Sequence, residues 1–131
     1  MRVAVRSLLT ACLLSLGVWG TAAAAGFWRY TPEEFKAAVE TGTPVLVEID
    51  ASWCPVCAKQ RPIIYRLSNE DRFRNVKILV IDFDKQKDDV RHFGADSQST
   101  LIAFKGGKEV GRAVGITDPD AIEALFQKAE G

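Results

Sequence analysis

Cysteine and histidine are scarce in this chain, with three and one among 131 residues. Beyond residue 25 only Cys54, Cys57 and His92 remain as soft ligands. A tetrahedral zinc site needs four nitrogen or sulfur ligands, so one chain could not complete it without a partner molecule or water. Charge of one sign is also lacking: 17 basic and 17 acidic residues cancel at pH 7. There is no basic stripe or polybasic run, which excludes a nucleic-acid partner and electrostatic anchoring to a membrane. Internal repeats, low-complexity tracts and long linkers are missing after Gly26, and no motif calls for a cofactor.

An apolar run long enough to span a bilayer comfortably, about 20 residues, is lacking too. The longest is at the beginning, where MRVAVRSLLTACLLSLGVWGTAAAAG opens on Arg2 and Arg6, continues apolar through residues 7–19 and ends in alanines. That order of charged, apolar and small residues is a secretory signal peptide. Ala23 and Ala25 supply the A-x-A cleavage site, so residues 1–25 are expected to be removed. Residues 26–131 then form one small domain with a slight acidic excess and no stable membrane insertion. Two other fates for the leader are less favoured: an uncleaved anchor, and lipidation at Cys12 within the lipobox-like Leu9-Thr10-Ala11-Cys12.

Thr31-Pro32-Glu33-Glu34 predicts a helix start, with Thr31 as N-cap, Pro32 in the first turn and Glu34 closing a capping box. Residues 44–49 (PVLVEI) and 76–83 (VKILVIDF) predict strands buried on both faces. Between them a helix is expected from about Cys54 to Ser68, kinked by Pro62. A short polar helix should cover residues 87–93. Residues 100–105 and 109–114 flank Gly106-Gly107, a two-residue hairpin signal. Asp118-Pro119 starts a last helix with Ile122, Leu125 and Phe126 on one face. The order α, β, α, β, α, β, β, α predicts an α/β fold in which helices flank both faces of a mixed central sheet.

Ser52-Trp53-Cys54-Pro55-Val56-Cys57 carries the chemistry. A disulfide across so short a loop removes little chain entropy, which disfavours a purely structural staple. A redox couple needs only what is present. Cys54 at a helix N-terminus meets the positive end of the dipole and free backbone N–H groups, which favour the nucleophilic thiolate. The expected roles are Cys54 as exposed attacker and Cys57 as buried resolving thiol, with Trp53 flanking them. Metal binding by the same pair stays open.

These residues resemble the thioredoxin superfamily. Val45-Leu46-Val47-Glu48, Ala51-x-Trp53-Cys54-x-x-Cys57, Lys59 and Pro62 follow its pattern, as do Phe104-Lys105-Gly106-Gly107-Lys108 and Val114-Gly115. The resemblance runs from about Thr31 to Lys128. It implies the thioredoxin fold and thiol–disulfide oxidoreductase activity, and with the leader it looks like an exported, periplasmic member. It further implies Glu48 as a proton relay, a substrate groove of Trp53, Pro55, Val56, Ser99 and Thr100, disulfide or thiol proteins as substrates, and a membrane electron donor.

The chain departs from the family pattern at three positions. Glu48 stands where Asp is usual. Val80 stands where a lysine often accompanies that acid, so burial should leave Glu48 more easily protonated. Ser99 replaces the cis-proline, and since a cis bond before a non-proline residue costs about 2.5–4 kcal/mol, the loop should be trans or strained. Pro55 and Val56 offer no side-chain donor or positive charge, and Glu48 and Asp50 oppose a thiolate. Lys59 and Arg61 would favour it but should turn partly to solvent. The balance points to a reductant. The alternative is a copper, zinc or thiol-substrate chaperone using the pair without turnover.

Overall fold

The structure is a computed structural model, and it describes residues 26–131; the expected leader, with the cleavage after Ala25 and the lipobox-like Cys12, lies outside them. Ten elements follow one another: β1 (Phe27–Arg29), α1 (Pro32–Glu40), β2 (Val45–Asp50), α2 (Pro55–Ser68), a 3-10 turn at Asp71–Phe73, β3 (Lys77–Asp82), α3 (Lys87–His92), β4 (Thr100–Lys105), β5 (Lys108–Val114) and α4 (Pro119–Glu130). The five strands form one sheet in the order β1-β3-β2-β4-β5. β2 runs parallel to β3, with α2 as the crossover that a parallel pair requires, and antiparallel to β4. This is the expected mixed sheet.

The aliphatic run of β2 is central, so both its faces are covered. Leu46 faces Ile64 and Leu67 of α2 and Ile122, Leu125 and Phe126 of α4. Val45, Val47 and Ile49 alternate to the other face, against Tyr30, Ala38, Val90 and Phe93. The same alternation puts Glu48 on the α2 side of the sheet, inside a largely apolar layer. At the hairpin, Gly106 and Gly107 have φ of 56° and 76°, the left-handed pair a primed two-residue turn demands.

Two expectations need correction. The sheet has a fifth strand, β1, that periodicity did not announce. Its three residues are all exposed and join the edge by parallel backbone pairing, Phe27 opposite Ile78. The capping box is only half formed. Thr31 Oγ1 accepts from Glu34 N at 3.1 Å, but the Glu34 carboxylate pairs with Lys77 of β3, a partner 43 positions away that no local pattern could reveal.

Candidate active site: the Cys54–Cys57 pair and its supports

The chain leaves β2 at Asp50 and turns through Ala51, Ser52 and Trp53, with Cys54 N donating to Ala51 O at 3.1 Å. Cys54 is the N-cap of α2, in extended backbone conformation, and Pro55 fills the first helical turn. Cys57 N donates to Cys54 Sγ at 3.0 Å. The sulfur therefore takes the place of a capping oxygen and receives one of the otherwise unpaired N–H groups of the helix start. The two sulfurs sit at disulfide distance, their Cα atoms 5.3 Å apart.

Cys54 is not the exposed side chain expected from the sequence. It is 3 % accessible and Cys57 0 %. Ala51, Val56 and Phe83 pack around the pair, and the capping role turns Sγ inward toward Cys57. What little access exists belongs to Cys54. The exposed part of the site is Trp53, at 57 %, whose Nε1 donates to Asp84 Oδ2 at 2.7 Å.

Ile49 of β2 stands opposite Thr100 of β4, which brings the Ser99 loop to the same end of the sheet as the cysteines. No peptide bond among the described residues is cis. The strain falls on Ser99 itself, at φ 56°, a left-handed conformation that costs a side-chain-bearing residue roughly 1–2 kcal/mol. Two backbone bonds hold it: Ser99 N to Ile49 O at 2.8 Å, and Gly115 N to Ser99 O at 2.9 Å. Ser99 and Thr100 are buried, and Thr100 Oγ1 donates to Ser97 O. Of the expected groove residues, Trp53 and Pro55 are exposed and Val56 is half-buried, whereas Ser99 and Thr100 lie beneath the surface.

Glu48 is 1 % accessible, and neither carboxyl oxygen has a hydrogen-bond partner. It borders a groove of about 360 Å³ with Phe27, Asp50, Arg61, Pro62, Tyr65 and Val80. Burial pushes its carboxyl up to about 7; the Asp50 charge adds to this, and Arg61 opposes it. Val80 pairs directly with Glu48 in the β2–β3 register, so β3 supplies no cation there. Arg61 does not serve the thiolate either. Its Nη2 and Nε lie 2.9 Å and 3.1 Å from Asp50 Oδ1, and Nη2 also donates to Ala51 O at 3.1 Å. Lys59 is exposed.

Sequence reasoning missed Gln60. It is fully buried on α2, and its Nε2 donates to Ser99 O at 3.3 Å and Ile116 O at 2.8 Å. A signal was present: Gln60 falls on the same helical face as Cys57, Ile64 and Leu67, where an apolar residue belongs. His92 ends α3 on the surface, remote from the cysteines in sequence. Among the described residues no group of three or more metal-ligating side chains forms.

A C-x-x-C pair at a helix start, on the crossover of a mixed five-stranded sheet, defines a thiol–disulfide exchange protein. The Thioredoxin family profile matches residues 26–128, and the chain belongs to that family. Thioredoxin from Chlamydia muridarum is 38% identical over 96 residues, 73% of this chain and 91% of that one. Thioredoxin Asp f 29 from Aspergillus fumigatus is 36% identical over 94 residues, 71% of this chain and 84% of that one. The crystal structure of Trxlp from Edwardsiella tarda EIB202 superposes with a TM-score of 0.75 at 35% identity, covering 77% of this chain and 98% of that one. The protein is a thiol–disulfide oxidoreductase of thioredoxin fold acting on thiol or disulfide substrates, and the metal or thiol-substrate chaperone alternative is not favoured.

Proposed function

We propose that the protein is an exported disulfide reductase of the bacterial periplasm, in which Cys54 attacks, Cys57 resolves and Glu48 moves the proton. The Cys54 thiolate attacks one sulfur of a substrate disulfide, forms a mixed disulfide and expels the other substrate sulfur as thiolate. The Cys57 thiol gives its proton to the Glu48 carboxylate. Its thiolate then attacks Cys54 Sγ and expels the second substrate thiolate. Two electrons pass from the pair to the substrate, and an external dithiol, supplied by a membrane electron donor, restores the reduced pair. The leader, cleaved after Ala25, supports export.

The observation that carries the direction is the Arg61–Asp50 pairing. A pair becomes an oxidant when its reduced, thiolate form is strongly stabilised. Here the Arg61 guanidinium is committed to a carboxylate, and Pro55 and Val56 add no donor. The Cys54 thiolate is left with the helix start and the Cys57 N–H alone. Ser99, in place of the family's proline, makes the groove wall specific to this chain's substrates.

Equilibration of residues 26–131 in graded thiol buffers, with alkylation of free cysteines, tests the direction. A potential at or below about −250 mV is expected, and a value near about −120 mV overturns the reductant reading. The amino-terminal residue of protein recovered from the exported fraction tests the leader: it should be Gly26.

A further inference from the structure

A buried amide with half its capacity unused is an expensive core residue, because an orphaned acceptor loses hydration and gains nothing in return. Gln60 is such a residue. It is 0 % accessible, its Oε1 has no partner, and it occupies a position on α2 that an aliphatic side chain would fill more cheaply. The orientation of the amide follows from its surroundings. Two carbonyls, Ser99 O and Ile116 O, converge on one nitrogen, and the flipped arrangement would set oxygen against both. The amide therefore ties together three segments that are far apart in sequence: the helix three residues beyond Cys57, the strained Ser99 turn, and Ile116 beyond β5.

Backbone bonds hold Ser99 at φ 56°, its N–H donating to Ile49 O at 2.8 Å, and the Gln60 amide adds a side-chain tie to the same turn. A residue with a side chain leaves the left-handed region unless its surroundings over-determine it. Ser99 O accepts from Gly115 N as well as from Gln60, while Ser99 Oγ bonds only to the neighbouring Gln98 O. Gln60 supplies the sole side-chain donor reaching the turn from across the fold among the described residues, and it does so from the helix that carries the redox pair.

We propose that Gln60 is a specificity-determining positioning residue, whose amide locks the Ser99–Thr100 turn and the Ile116 segment into one wall of the groove that receives a protein disulfide. The assignment rests on the reading of this protein as a reductase of protein disulfides. Gln60 hydrogen-bonds to neither sulfur; it acts through Ser99 and Ile116. Its removal should weaken docking of a folded protein substrate while leaving the chemistry of the cysteines alone.

The test uses residues 26–131, reduced beforehand and mixed with insulin in a single turnover quenched by iodoacetamide. Gln60→Met keeps the volume and deletes the donor. It should raise the half-saturating insulin concentration about three- to tenfold, the worth of a lost hydrogen bond. The limiting rate, the rate with the small disulfide 5,5′-dithiobis(2-nitrobenzoate) and the midpoint in thiol buffers should stay at wild-type values. Ile64→Val, a core truncation on the same helix, should leave all four quantities unchanged. If Gln60→Met does not fold, Gln60→Glu replaces it. As the acid it still donates to one carbonyl, so its half-saturation relative to wild type should climb as it ionises. Half-saturation that stays at the wild-type value overturns the assignment, as does a parallel change in the small-disulfide rate or the same effect from Ile64→Val. Wild-type protein that reduces neither disulfide overturns the functional reading itself, and this assignment with it.

Discussion

The guanidinium of Arg61 grips the Asp50 carboxylate, with Nη2 and Nε 2.9 Å and 3.1 Å from the same oxygen. The pair lies on the border of the groove that Glu48 also lines, and its two charges push the Glu48 carboxyl in opposite directions. Removing either charge should tune the proton step without touching a sulfur. The pH midpoint of mixed-disulfide resolution should fall in Asp50→Asn, which deletes the charge that raises Glu48. It should rise in Arg61→Ala, which deletes the charge that lowers it. Stopped-flow decay of a preformed mixed disulfide between pH 5 and 9 reads both, and midpoints that move together would sink the account.

Glu48 also makes fold stability depend on pH. Its carboxyl is raised from 4.5 to about 7 by burial above all. Between those values the folded state binds more protons than the unfolded one, so stability falls as pH rises through that window. The full penalty, roughly 3 kcal/mol, is present above pH 7 and absent below 4.5. Glu48→Gln should therefore be more stable than wild type by roughly 2–3 kcal/mol at pH 8 and indistinguishable from it near pH 4. Urea titrations at the two pH values decide it, and a gap that does not change with pH would contradict the argument. The same variant should resolve mixed disulfides more slowly.

Cys57→Ser should trap a mixed disulfide through Cys54, because the attacker can still react and nothing remains to release the product. Cys54→Ser should trap none, since Cys57 has no accessible surface. Non-reducing electrophoresis after incubation with a periplasmic extract reads the difference, and adducts formed by the Cys54→Ser variant would reverse the assigned roles.

Ser99→Gly should stabilise the fold modestly, by about 0.5–1 kcal/mol, because glycine adopts a positive φ without a steric penalty and gives back only part of the gain in chain entropy. Ser99→Pro should do the reverse. Proline cannot reach φ 56° and removes the N–H that donates to Ile49 O, a loss of about 3 kcal/mol or more at a buried, hydrogen-bonded site. Thermal melts of the two variants should move in opposite directions; a proline variant as stable as wild type would mean that the loop has another way to settle.

The order of elements from α1 to α4 was legible because each carries its own local signal: a proline-led cap at Thr31 and Asp118, a β-branched run in β2, paired glycines between β4 and β5. The C-x-x-C pair was legible for the same reason. β1 was not, since three exposed residues show no periodicity and their pairing is written in the backbone of β3. The inward turn of Cys54 was hidden too, because it depends on Ala51 and Phe83 closing over the sulfur. Arg61 was read as a cation near the thiolate; the helix instead aims it across the Ala51–Trp53 turn at Asp50. Gln60 sat in view on an apolar face, but its two carbonyl partners lie 39 and 56 positions away.

The complete enclosure of Cys57 has a consequence for durability. Peroxide and other small oxidants carry a thiol irreversibly past the sulfenic stage only where they can reach the sulfur. Among the described residues, damage of that kind has a single point of entry, Cys54, and the intramolecular bridge removes even that whenever it closes. The bridged form is therefore the armoured one, and the reduced interval between electron delivery and substrate capture is when the protein lies open to permanent loss.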